Sequence, residues 1–416
     1  MFNFYKYKGE FFFSLEKYEY FNSITEEEIK SQDGKIYFLR KLDPFKSRQN
    51  FLVNHPSLLF TEEEGINLLL LDGSDCFDSI PKWIIDKINK NNVVSINTNY
   101  PNWEDVLYLE KKKKWRVNLI ALGDVGSTLA IGLRLLGEET IESIGIYDRN
   151  ENRLQRWEYE LNQIRRPLDE RAFPRVEKVH ESELFNCDMF IFCASKGIPP
   201  VGSQVKDVRM AQFNSNSDII KEYAILARKR KFKGIFAVVS DPVDLLCKVA
   251  FLESNKDEEG SLDFKGLASN QIIGYGLGVM NGRAAYYAEK SQDTIHYLDE
   301  GRAFGPHGEG LIIANSIENY NEQLSDYLTD KTINANKDVR ALGYKPYVAP
   351  SLSSGALSII STINGNWFYG STYMGEAYIG SKCRLVDNQL EIEQLPLPKN
   401  LFSKINSTYE RLVSII

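Results

Sequence analysis

Ala121-Leu122-Gly123-Asp124-Val125-Gly126 joins a strand-like run, Arg116–Ala121, to a helical pattern over Ser127–Leu136. Glycines spaced this way at a strand-to-helix junction form the dinucleotide fingerprint G-x-G-x-x-G, here with Ala121 in the place of its first glycine. Gly123 lets the backbone approach a pyrophosphate, and Gly126 lets the helix pack closely. The helix N-terminus supplies unpaired N–H donors and the positive end of its dipole to the phosphates. Asp124 adds a negative charge close to where they would lie. Asp148 ends the next strand-like run, Ser143–Tyr147, where a carboxylate can accept hydrogen bonds from both ribose hydroxyls. A 2′-phosphate would be repelled there, so the pattern favours NAD over NADP. Arg149, which follows directly, leaves room for NADP.

Further pieces follow in order. Val208–Asn216 reads V-R-M-A-Q-F-N-S-N, and Val239–Asp244 reads V-S-D-P-V-D. Ile273-Gly274-Tyr275-Gly276 runs on to Arg283, and Phe304–Glu309 reads F-G-P-H-G-E. Tyr347-Val348-Ala349-Pro350 comes last, before a small-residue helix. These stretches resemble R-x-D-L-x-x-x-N, V-S-N-P-V-D, I-G-x-G-x-x-L-D-x-x-R and F-G-x-H-G-D of the lactate/malate dehydrogenase family. The likeness covers the chain from Trp115 onward.

The resemblance implies roles. Hydride transfer between nicotinamide and a 2-oxo or 2-hydroxy carbon needs a proton moved at the oxygen, and histidine exchanges protons near neutral pH. His307 matches that histidine. A substrate carboxylate calls for a two-pronged cation, and Arg283 matches it. Arg209 matches a second arginine, on a closing loop, that polarises the carbonyl and excludes water. Cofactor contacts are implied at Gly123, Asp124, Val125, Gly126, Asp148, Ser195, Asn216 and Ser240. The implied cofactor is NAD, the implied partner a small 2-oxo or 2-hydroxy acid, and the implied assembly a homodimer or homotetramer.

The chain departs from the family at telling places. The family's aspartate one helical turn before the carboxylate-binding arginine holds the catalytic histidine; here that position is Met280, whose thioether is no strong acceptor. The asparagine of V-S-N-P-V-D is Asp241. Asp241 is therefore the expected partner of His307 and a candidate catalytic and substrate-binding residue. The loop between Ser195 and Arg209 is longer than the family's. Within it, Gln204 would suit a neutral substrate side chain and Lys206 an acidic one. Lys345 stands where a small pocket residue is usual and could pair with an acidic substrate.

The elements that must hold these residues alternate. Apolar, strand-favouring runs at Met189–Cys193 and Gly234–Ser240 follow the first two, and a helical pattern covers Pro242–Phe251. The expected fold class is α/β: a Rossmann-type doubly wound parallel sheet, then an α+β catalytic lobe, preceded by a small α/β domain. The expected division is 1–114, 115–260 and 261–416. Lys111–Lys114 reads as a solvated linker at the first boundary. Before it, Ile66–Leu71 and Val93–Asn97 read as strands and Lys82–Asn89 as an amphipathic helix. No catalytic motif is visible there.

The 416 residues are 43% hydrophobic and 26% charged, enough apolar material for sizeable cores. A net charge of −7 argues against nucleic acid or an anionic membrane as the main partner. The five cysteines form no C-x-x-C pair, so neither a disulfide framework nor a zinc site is suggested. No apolar run is long enough to span a bilayer, and the aromatic start is broken by Lys6, Lys8 and Glu10, unlike a signal peptide. The expectation is a cytoplasmic NAD-dependent 2-hydroxyacid oxidoreductase without a metal. Its alternative is a catalytically altered homologue that binds NAD(H) and a carboxylate as a sensor or interaction protein.

Overall fold

The computed structural model describes residues 2–71, 79–196 and 208–416, without the side chains of 208–211. Its centre is a nine-stranded sheet. From one edge the strands are Arg175–Lys178, Ile141–Tyr147, Trp115–Ile120, Met189–Phe192, Ile235–Val238 and Ile272–Gly274, all paired in parallel. Phe368–Met374, Ala377–Val386 and Gln389–Ile392 continue it antiparallel. Parallel strands need crossovers, and the helices Asp124–Leu136, Glu151–Gln163, Val208–Lys229 and Val243–Ser254 supply them. Covered on both faces, the central strands are apolar on both: Val117, Leu119, Phe190, Ile191, Phe236 and Ala237 are fully buried. The fold is α/β and Rossmann-like, as expected.

The chain runs outward from Trp115–Ile120 to Arg175–Lys178, then crosses back to lay Met189–Phe192 on the other side of Trp115–Ile120. That reversal opens a crevice beyond the C-terminal strand ends, the place where sheets of this kind bind ligands.

The rest of the chain adds the helices Leu277–Ala288 and Glu322–Ala341, the hairpin Arg302–Phe304 with Ile312–Ala314, and the final helix Lys399–Ile415. The small-residue stretch after Tyr347 is a π-helical segment, Pro350–Leu357, leading into Ser358–Ile363. Its small residues allow close packing: a Cβ on Gly132 would lie 2.4 Å from that of Ala356.

The N-terminal residues form a six-stranded mixed sheet in which Val93–Asn97 lies between Ile36–Arg40 and the edge strand Asn50–Leu52, with the helix Lys82–Asn89 where the pattern placed it. One expectation fails. Ile66–Leu71 is a 3₁₀ turn over Ile66–Leu69 followed by a single bridge from Leu70 to Leu395. Ile66, Leu68 and Leu69 are buried without strand pairing, since an apolar run reports burial and not period. The core of this sheet is continuous with the larger one. Gln49 N–H donates to Asn270 Oδ1 at 3.2 Å, and Asn54 Nδ2 to Glu391 Oε1 at 3.1 Å. Lys111–Lys114 is exposed. Among the described residues no helix is long and apolar enough to cross a membrane.

Candidate active site

The nucleotide end is built by the turn after Trp115–Ile120. Ala121, where the fingerprint has glycine, takes the left-handed conformation at φ 67°, which costs an L-residue about 1–2 kcal/mol. Leu122 N–H then donates to Asp148 Oδ2 at 2.8 Å, which locks this turn to the end of the neighbouring strand. Gly123 precedes the helix, and a Cβ there would meet nothing within 4 Å. A Cβ on Gly126 would lie 2.0 Å from the Ala121 carbonyl oxygen. The two glycines thus serve differently: Gly126 is demanded by packing, while Gly123 leaves open space beside the unpaired helix N–H groups. A dinucleotide pyrophosphate fits that cradle. Asp124 and Val125 begin the helix, and Asp124 is ion-paired with Lys345 at 3.1 Å. Lys345 thus stands beside the nucleotide turn, with its side chain exposed.

A pocket of about 190 Å³ opens beyond the strand ends, lined by Ala121, Tyr147, Asp148, Arg149 and Ser195 among others. The Asp148 side chain is only 6% exposed and also pairs with Arg153 at 3.4 Å.

Asn216 and Ser240 do not turn free polar groups into this pocket. Asn216 is fully buried. Its Oδ1 accepts from Lys196 N–H at 2.9 Å, and its Nδ2 donates to the Asp241 carbonyl at 2.7 Å and to Ser195 Oγ at 3.4 Å. Ser240 Oγ donates to the Ala194 carbonyl at 2.7 Å. Both tie the loop after Met189–Phe192 to the loop carrying Asp241. Ser195 is exposed beside them.

Asp241 follows the strand Ile235–Val238, and His307 sits in the turn of the Arg302–Phe304 hairpin. These segments bring His307 Nδ1 to 3.6 Å from Asp241 Oδ1, with the His307 side chain 14% exposed. Asp241 Oδ1 is buried and has no hydrogen-bond partner among the described residues. Gly276 permits the approach, since a Cβ there would come 3.2 Å from that of His307.

Arg283 projects from the helix Leu277–Ala288. Its Nη2 donates to Asn336 Oδ1, and its Nη1 lies 3.5 Å from the Met280 sulfur. Burial holds the guanidinium below its ordinary value, and the negative charge of Asp241 works against that shift. Arg283 therefore feels the same carboxylate that faces His307. Met280 is 1% exposed among apolar neighbours and offers no carboxylate to either. Asn336, which the helix Glu322–Ala341 brings in, carried no signal of its own in the residue pattern.

Arg209 lies in the first turn of the helix Val208–Lys229; its side chain lies outside the described residues, as do Gln204 and Lys206. Among the described residues no cluster of three or more His, Cys, Asp or Glu side chains could hold a metal ion.

Residues 115–261 match the family model described as lactate/malate dehydrogenase, NAD binding domain. An L-lactate dehydrogenase of Corynebacterium glutamicum is 25% identical over 194 residues, 47% of this chain and 55% of that enzyme. The chain thus spans about half the length of that relative. For the L-lactate dehydrogenase of Oceanobacillus iheyensis the identity is 24% over 330 residues, covering 72% of this chain and 94% of the relative. Among solved structures, a minor L-lactate dehydrogenase from Enterococcus mundtii superposes with a TM-score of 0.58 at 17% identity, covering 73% of this chain and 98% of that one. The malate dehydrogenase from Aeropyrum pernix gives 0.59 at 15%, covering 72% and 96%.

Proposed function

We propose, on the premise that this chain is a divergent member of the lactate/malate dehydrogenase family, that it is an NAD(H)-dependent oxidoreductase of small 2-hydroxy or 2-oxo carboxylic acids. The observation that carries the reading is the placement of His307 against Asp241 within the field felt by Arg283.

In this reading the turn at Gly123 and Gly126 holds the pyrophosphate, and Asp148 stands at the ribose end of the pocket. When bound, the nicotinamide supplies or accepts the hydride at the substrate carbon. Arg283 holds the substrate carboxylate through two parallel hydrogen bonds. His307 gives a proton to the substrate oxygen in reduction and takes it back in oxidation. Asp241 orients the imidazole and favours its charged form, the duty of the aspartate replaced by Met280. Arg209 closes over the reacting carbonyl. Asn216 and Ser240 fix the loop that carries Asp241 and act as positioning residues. Residues 1–114 form an accessory unit packed on the nucleotide-binding and catalytic parts, 115–260 and 261–416. The assembly is a homodimer or homotetramer, and the compartment is the cytoplasm.

A second reading rests on Met280 and Asn336. Both engage the guanidinium of Arg283 in place of a carboxylate. A chain that binds NAD(H) and a small acid without turning it over would tolerate this. The test is NADH consumption against a panel of 2-oxo acids, with NADH binding measured in parallel. Turnover of any acid supports the first reading, binding alone the second, and no binding removes both.

A further inference from the structure

We infer that the ribose end of the nucleotide pocket accepts a 2′-phosphate between Arg149 and Arg153, so that the chain takes NADP(H) as well as NAD(H). The inference rests on the nucleotide-binding reading of the crevice.

A carboxylate at the end of the second strand rejects a 2′-phosphate when its lone pairs face the ribose. Asp148 is turned inward instead. Its Oδ2 accepts from Leu122 N–H and its Oδ1 from Asn150 N–H, both at 2.8 Å. Its remaining charge is met by Arg153 Nη1 at 3.4 Å, and the side chain is 6% exposed. Two cationic side chains stand at the same pocket. Arg149 and Arg153 both line it, and their side chains are 65% and 47% exposed.

Each arginine has donors to spare. A guanidinium carries five N–H donors in a planar fork matched to phosphate oxygens. Arg153 is seen to use Nη1 on Asp148, and Arg149 Nη2 on Glu222 at 2.6 Å. Of the two carboxylates paired with these arginines, Asp148 lines the pocket with its oxygens already engaged, and Glu222 does not line it. Two cations at one pocket mouth suit a phosphate of charge near −2 better than a pair of neutral hydroxyls.

The probes are adenosine 2′,5′-bisphosphate and 5′-AMP, titrated calorimetrically against the full chain at low salt. The bisphosphate is expected to bind about tenfold more tightly, a preference that shrinks as salt rises. In Arg149→Ala/Arg153→Ala that preference is lost, while affinity for 5′-AMP stays within about threefold. Both side chains are exposed, so the variant keeps the fold. Equal or weaker binding of the bisphosphate by the unaltered chain overturns the inference, as does a preference that survives in the double variant. If neither nucleotide binds, the inference falls together with the nucleotide-binding reading beneath it.

Discussion

His307 Nδ1 faces Asp241 Oδ1 at 3.6 Å, joining a hairpin turn to the loop after a central strand. The contact is longer than a hydrogen bond, and Asp241 Oδ1 is otherwise without a hydrogen-bond partner among the described residues. Asp241→Asn keeps the shape and removes the charge. It is expected to lower kcat by roughly 10²-fold or more, with a smaller change in KM. Reduction needs the protonated imidazole, and an amide favours that form less than a carboxylate does. The alkaline fall in kcat/KM for reduction therefore moves to lower pH. An Asp241→Asn enzyme with unchanged kcat and pH profile contradicts the relay.

The two glycines of the nucleotide turn separate fold from binding. Gly126→Ala forces a Cβ to 2.0 Å from a backbone oxygen and should destabilise the chain by about 1–3 kcal/mol or more. Gly123→Ala meets open space and keeps an ordinary φ of −73°, so its melting temperature should barely move. Its methyl group projects where the pyrophosphate approaches, and NADH affinity should fall roughly tenfold or more. Measuring Tm and NADH Kd for both variants checks this; equal effects of the two on stability would contradict it.

The nucleotide-binding strands were legible because buried parallel strands leave uninterrupted apolar runs, as at Met189–Phe192 and Ile235–Val238. The same signal misled at Ile66–Leu69, where burial occurs in a 3₁₀ turn. Asp241 facing His307 could be anticipated from the substitutions at two family positions. The engagement of Asn216 by Lys196 and Asp241, and of Lys345 by Asp124, could not. Both depend on how distant loops meet, and nothing local in the residues encodes that meeting. Asn336 was silent for the same reason, standing on an otherwise ordinary polar helix.

Arg283 is the residue proposed to hold the substrate carboxylate, by a two-pronged recognition that lysine cannot give. Arg283→Lys is expected to raise KM for the 2-oxo acid at least about tenfold while leaving NADH affinity near its original value. Steady-state kinetics with separate NADH titrations test the split. A KM that does not move would place the substrate carboxylate elsewhere.

Acid stability has a local source in the pairing of Asp263 with Arg228, whose two contacts are 2.6 and 2.7 Å. Arg228 holds the Asp263 carboxyl at about 2, against an ordinary 3.8. A depressed carboxylate stabilises the fold above its unfolded value, and this contribution is lost as pH falls from about 4 towards 2. Asp263→Asn should therefore cost roughly 2 kcal/mol at neutral pH, and the difference should vanish near the acid end of that range. Urea unfolding at several pH values measures it. A pH-independent difference would contradict the assignment.

The central claim is that His307 moves the proton that accompanies hydride transfer. Its most direct test is the rate of NADH oxidation with a panel of 2-oxo acids, for the unaltered chain and for His307→Ala. Turnover of at least one acid is expected from the former, and a loss of roughly 10²–10⁴-fold in the latter with NADH binding preserved. An unaltered chain that binds NADH yet oxidises it with no 2-oxo acid, or a His307→Ala variant as fast as its parent, would contradict it.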